Sequence, residues 1–155
     1  MGSLSTSIAD GAITAAKLAP GVAGTALLTV VDVRDFGTVG DWSAIGDAIA
    51  AAAAAAARTV FIPAGTWTGS TTLAPPVMPN GSLIVRGAGP GATNLVYTGT
   101  GHAIQFGDGG GTDTRYQGLA DLTLTGTSAA AGAVKFNHSR FCGVERVEIK
   151  DFTAA

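Results

Sequence analysis

The stretch "AIAAAAAAAAR" (48–58) decides how this chain is read. It follows "GDWSAIGD" (40–47) and precedes "TVFIPAGTW" (59–67). Alanine has the highest intrinsic helix propensity, and Asp41 is a good N-cap. Ile45 and Ile49 lie four residues apart, on one face, and Ala52, Ala53 and Ala56 extend that face. The pattern predicts a helix over 42–57, with Arg58 where positive charge suits the helix dipole. Its side chains are small, so it can lie close against flat β structure, and Gly46 is expected to permit that approach.

Outward from the helix the chain is β-rich. "LLTVVDVRDFG" (27–37) reads as a strand and "TVFI" (59–62) as another. Short apolar strands then alternate with Gly, Asn and Pro turns: 83–86, 95–97, 103–106, 121–124, 133–136 and 144–149. No second helix interrupts them. "LIVR" at 83 and "DLTL" at 121 are 38 apart, and "NLVY" at 94 and "AVKF" at 133 are 39 apart. From Asp121 to Val147 is 26, and "GDGGGTDTRYQG" (107–118) is the expected extra loop. Short strands at related periods point to a solenoid. A sandwich would need hairpin signals between strands, and Asn80-Gly81 is not placed as one.

Composition agrees. Charged residues make up 13%, against about 25% in an average globular protein. The 23 glycines are roughly twice the usual share. Net charge is −2, with no basic block, which argues against a nucleic-acid partner. Cys142 is alone, so there is neither a disulfide framework nor a zinc spacing, and it is expected to be a buried thiol. No run approaches the ~18 apolar residues of a membrane span. The N-terminus lacks the charged and apolar regions of a signal peptide. Gly2 with Thr6 fits the loose myristoylation pattern, but the residues after Thr6 read as a repeat.

Residues 1–29 form a different segment. Ile8, Ile13 and Leu18 are spaced by five, which matches neither the helical nor the strand period. Such a segment needs copies of itself, or a partner surface, to bury its apolar residues.

"VVDVRDFGTVGD", the helix and "RTVFIPAGTW" are similar to the opening of the pectate-lyase superfamily of right-handed parallel β-helices. Asp35, Phe36, Gly37, Gly40, Asp41, Pro63, Gly65 and Trp67 match its outline, and the likeness covers about residues 30–152. "VRGAGPGATNLVYTG" and "GVERVEIKDF" resemble its rungs. The resemblance implies a mainly β fold: a solenoid over 30–155 with an N-terminal capping α-helix, preceded by an extended segment. The helix then covers an end that would otherwise pair with other chains. The aspartates that usually come after "GD" are missing here, which puts any role of theirs in doubt. "SIADGAITAAKLAPGVAG" (7–24) resembles segments of phage tail fibres and tailspikes. That likeness implies a homotrimer in the virion, held to other tail or baseplate proteins through residues 1–29. It implies a role in host adsorption with surface polysaccharide as ligand. The alternative is a polysaccharide depolymerase of the same fold, a lyase or hydrolase.

No residue is assigned as catalytic, and no cofactor or metal is expected. "RGAGPGA" (86–92) fits a dinucleotide fingerprint, but a strand comes after it where the mechanism needs a helix. "DGGGTD" (108–113) is close to a calcium-binding repeat, yet occurs once. His102, His138 and Cys142 have no orienting group that can be placed beside them, and His102 reads as a turn or stacking residue. Asn80 and Asn137 open glycosylation sequons that mean little without a secretory signal. Glycosidase chemistry needs two carboxylates about 5–9 Å apart. Asp108, Asp113, Asp121, Glu145, Glu148 and Asp151 are available, and Glu148 with Asp151 reads as a solvated pair. The polygalacturonase phrases and the Arg-rich pectate-lyase site are absent. The chain ends at "KDFTAA" inside a coil, so a continuation, or a partner over the open end, is expected.

Overall fold

The computed structural model describes residues 30–55, 58–78, 81–107, 110–111, 113–127 and 129–152. The leader 1–29, the end of the expected helix at 56–57, and Asn80 and Asp108 lie outside them. Within these residues the chain forms a right-handed parallel β-helix with one helix over its first coil.

The strands are β1 (Val30–Asp32), β2 (Thr59–Ile62), β3 (Gly65–Gly69), β4 (Leu83–Gly87), β5 (Thr93–Tyr97) and β6 (His102–Phe106). They continue as β7 (Thr114–Arg115), β8 (Gln117–Thr125), β9 (Gly132–Phe136), β10 (Ser139–Arg140) and β11 (Gly143–Lys150). Every pairing is parallel. One face stacks β1, β2, β4, the first half of β8 and β11. A second stacks β3, β5 and the second half of β8. A third pairs β6 with β9, and β7 with β10 forms a short corner.

The register corrects the spacing read from sequence. Leu83 pairs with Gln117, not Asp121, and Asn94 pairs with Thr123, not Ala133. Ala133 lies in β9, on another face. On the first face one coil runs 25 residues from Thr59 to Ile84, the next 34 to Gly118, and the next 25 to Gly143. The 34-residue coil contains 107–113, the expected extra loop, but β7 begins within the stretch read as loop. β8 turns a corner at Asp121, whose φ is +55°, and β11 turns at Arg146 with φ +49°. Tyr116 and Phe141 form an equivalent left-handed pair at +51° and +56°.

Inward residues stack coil on coil: Val60, Val85 and Leu119 on one face, Trp67, Leu95 and Leu124 on the next. All are buried, as the alternation of a strand with one face inward requires.

The helix α1 (Trp42–Ala54) is shorter than expected, with Ala55 as its C-cap. Asp41 caps it, accepting from the Ser43 amide at 3.0 Å and its hydroxyl at 2.7 Å. Trp42, Ala44, Ile45, Ala48, Ile49 and Ala52 are buried against the first coil, while Ala53 is only half-buried. Gly46 is not the point of close approach, since a Cβ there would meet nothing within 4 Å. Gly37 and Gly69 take that role: a Cβ on Gly37 would lie 2.9 Å from Ala44 Cβ, and one on Gly69 would fall within the Trp42 indole. The Trp42 indole N–H donates to the Thr71 carbonyl at 2.9 Å. Arg58 lies beyond the helix end and donates to Ser82 at 2.9 Å. Residues 33–35 form a 3-10 turn where the sequence reads as strand. Asp32 starts that turn by accepting from the Arg34 amide at 2.9 Å.

Candidate functional site

Outward side chains of the first face form rows. Thr59, Ile84, Gly118 and Gly143 make one row across four strands, and Phe61, Arg86, Ala120 and Glu145 make the next. Because Gly118 and Gly143 carry no side chain, this part of the face is a trough. It encloses about 700 Å3. Tyr116 and Phe141 form its ridge, their rings 5.2 Å apart and within 11° of parallel. They are 53% and 74% exposed, which leaves ring faces open to a ligand. Arg58, Arg86 and Glu145 also line the trough.

The local sequence explains the geometry. "TRYQGLADLTL" (114–124) and "SRFCGVERVEI" (139–149) are one coil repeated at 25 residues. Each places an aromatic residue with positive φ two positions before a glycine. Gly118 is forced, because a Cβ there would lie 2.6 Å from the Gly143 carbonyl oxygen. This repeat is the signal that finds the site: it pairs the two aromatic residues directly, whereas the spacing between apolar strands passes over them.

The acids found in the sequence do not form a catalytic pair. Asp121 holds Arg86 at 2.9 Å and Arg146 through both its oxygens. Glu145 is paired with the same Arg146. The hydrogen bond from Arg146 holds the Asp121 carboxyl below its ordinary value. Glu148 is also held down, first by its bond from Lys150 at 2.9 Å, with Thr123 adding a second at 3.1 Å. A general acid near neutral pH needs the opposite shift. Asp113 pairs with Arg140 at 2.7 Å, and Asp151 is exposed at a left-handed turn.

The remaining candidates are separated. His102 begins β6 and lies against Gly132 of the next coil, a stacking position. His138 is exposed at a turn between β9 and β10. Cys142 is half-buried, not buried as expected, and its sulfur accepts from the Gln117 amide at 3.4 Å. Residues 88–92 are a turn between β4 and β5, so "RGAGPGA" opens no helix. Among the described residues no three of His, Cys, Asp and Glu gather where they could hold a metal, and no helix is long and apolar enough to cross a membrane.

No protein-family model matches the chain, and no curated protein matches it. Solved structures do. The A-module of mannuronan C-5 epimerase AlgE4 of Azotobacter vinelandii superposes with a TM-score of 0.59 at 28% identity, over 76% of this chain. The AlgE6 A-module of the same organism gives 0.62 at 26%, over 78%. Both are right-handed parallel β-helices of the pectate-lyase-like superfamily. The chain spans 37% and 38% of those two modules.

Proposed function

We propose that the trough on the first face binds polysaccharide, and that the chain acts in adsorption of a phage to its host as part of a tail fibre or tailspike. The observation that carries the binding reading is the exposed Tyr116–Phe141 ring stack beside a glycine-floored trough containing two guanidinium groups. Pyranose rings present apolar C–H faces that pack on aromatic rings, and their hydroxyls accept hydrogen bonds from arginine. The carboxylates here are tied to arginine and lysine, which suits holding a glycan better than protonating one. The virion role rests on the likeness of residues 7–24 to fibre segments. In this reading the protein is a homotrimer held by residues 1–29 to other tail proteins.

Two measurements test it. Light scattering on the full chain and on residues 30–155 is expected to give a trimer for the first only; two monomers would remove the fibre reading. Titration with host surface polysaccharides is expected to find a ligand whose affinity falls about tenfold in Tyr116→Ala, the effect of one lost ring contact of ~1.4 kcal/mol. An unchanged affinity would place binding elsewhere.

The likeness to epimerase A-modules favours a second reading, a polysaccharide-modifying enzyme. Incubation with mannuronan, followed by NMR of the sugar C-5 protons, separates the two: turnover supports the enzyme, binding without turnover the adsorption module.

A further inference from the structure

The corner next to the ring stack carries an unusual charge arrangement. β7 and β10 pair in register, so Arg115 and Arg140 are direct neighbours on adjacent strands. Parallel strands lie about 4.8 Å apart, and like charges directly opposite destabilise a sheet. Arg140 is neutralised by Asp113, whose carboxylate accepts its Nε at 2.7 Å. Arg115 has no ion pair among the described residues, and its Nε is buried with no hydrogen-bond partner. A buried N–H of a charged group without an acceptor is costly. Two guanidiniums and one carboxylate leave a net positive charge there. Neither arginine lines the trough; both directly precede its aromatic ridge in sequence.

We propose that this corner is an oxyanion-binding site, in which Arg115 and Arg140 together hold a carboxylate, sulfate or phosphate group. An arginine pair on adjacent strands offers several N–H donors in two planar forks, the arrangement that grips an oxyanion by paired hydrogen bonds. The oxyanion supplies the missing acceptor for Arg115 and removes the repulsion between neighbours. The chemistry is the same for a free inorganic anion and for an acidic substituent on a sugar. The Tyr116 and Phe141 rings come directly after the two arginines, so an acidic sugar can engage both. The site stands without the trough reading, since its charge imbalance belongs to β7 and β10.

The test uses the full chain labelled with 15N. Arginine Nε–Hε resonances are assigned with Arg115→Gln and Arg140→Gln, and monitored during titration with sodium sulfate at ionic strength held constant with chloride. The Arg115 and Arg140 signals are expected to move together and saturate, and Arg115→Gln is expected to weaken the Arg140 response about tenfold, as for loss of one charge-assisted hydrogen bond. A second titration with oligoglucuronate assigns the source. Saturation at lower concentration than sulfate identifies an acidic sugar, and saturation with sulfate alone identifies a free anion. If neither probe moves the Arg115 signal, the proposal is overturned. Arg86→Gln separates the two readings: it weakens glycan binding in the trough but leaves the sulfate response of Arg115 intact.

Discussion

Two glycine-to-alanine changes at the capped end are expected to move stability in opposite directions. Gly69→Ala puts a methyl 2.6 Å from Trp42 Cβ and closer still to the indole carbons. Ordinary carbon contacts lie near 3.5–4.0 Å, so the indole has to move by about 1 Å. Trp42 cannot move freely, since its N–H is bonded to the Thr71 carbonyl and its ring leans on Tyr97 at 6.1 Å. Overpacking costs about 1–3 kcal/mol and the lost hydrogen bond about 1, giving a destabilisation of about 3 kcal/mol. Gly46→Ala meets nothing within 4 Å and lies inside α1, so it gains about 1 kcal/mol in helix propensity. Urea denaturation monitored by tryptophan fluorescence reads both changes. The two tryptophans, Trp42 and Trp67, are buried in the first coil, so the signal comes from the region perturbed. With a slope of about 1–3 kcal/mol per molar urea, the midpoint should fall by roughly 1–3 M in one variant and rise by a few tenths of a molar or more in the other. If both fall, or if Gly69→Ala is silent, α1 does not close the coil through Trp42.

The floor of the trough offers a second glycine contrast. Gly118→Ala should destabilise by about 1–3 kcal/mol because the new methyl meets the Gly143 carbonyl, whereas Gly143→Ala, with open space around it, should stay within about 0.5 kcal/mol in the same denaturation assay. Asp121→Asn removes the carboxylate that joins three coils through Arg86 and Arg146. Because the folded pKa of Asp121 is depressed, its contribution is present above the unfolded carboxylate pKa and lost as pH falls through the folded value. The variant should therefore be less stable than the parent at pH 7, and the gap should close on acidification; a gap independent of pH would mean that the ion pairs contribute nothing.

The capped end was legible because its signals are local. Asp41, the alanine run and the "FIPAGTW" turn specify helix and strands within a few residues of themselves, and β2 begins and ends where the sequence places it. Coil register was less legible, because it depends on contacts between residues 25 to 34 apart. The loop at 107–113 lengthens one coil, so a comparison across it yields a spacing of 38 that corresponds to no pairing. The repeat across the next coil is undisturbed, and "RYQGL" with "RFCGV" carries both the true period and the aromatic ridge. Gly46 misled for a physical reason. Glycine in a helix often marks a close contact, but here the tight spots are on the chain that receives the helix, at Gly37 and Gly69.

A parallel β-helix turns sequence period into surface chemistry. With 25 residues per coil, position n and position n+25 lie one strand apart, so a residue type repeated at that interval becomes a contiguous stripe. Aromatic residues at 116 and 141 become a ring stack, glycines at 118 and 143 a floor, and arginines at 115 and 140 a doubled charge. At the next corner the repeat carries opposite charges instead, Asp121 against Arg146, and these satisfy each other. Stripes of opposite charge close on themselves and hold coils together, whereas stripes of like charge or of exposed rings leave valence for a ligand. The binding capacity of this protein is therefore concentrated at 115–116 and 140–141, where the repeat keeps the same chemical character from one coil to the next.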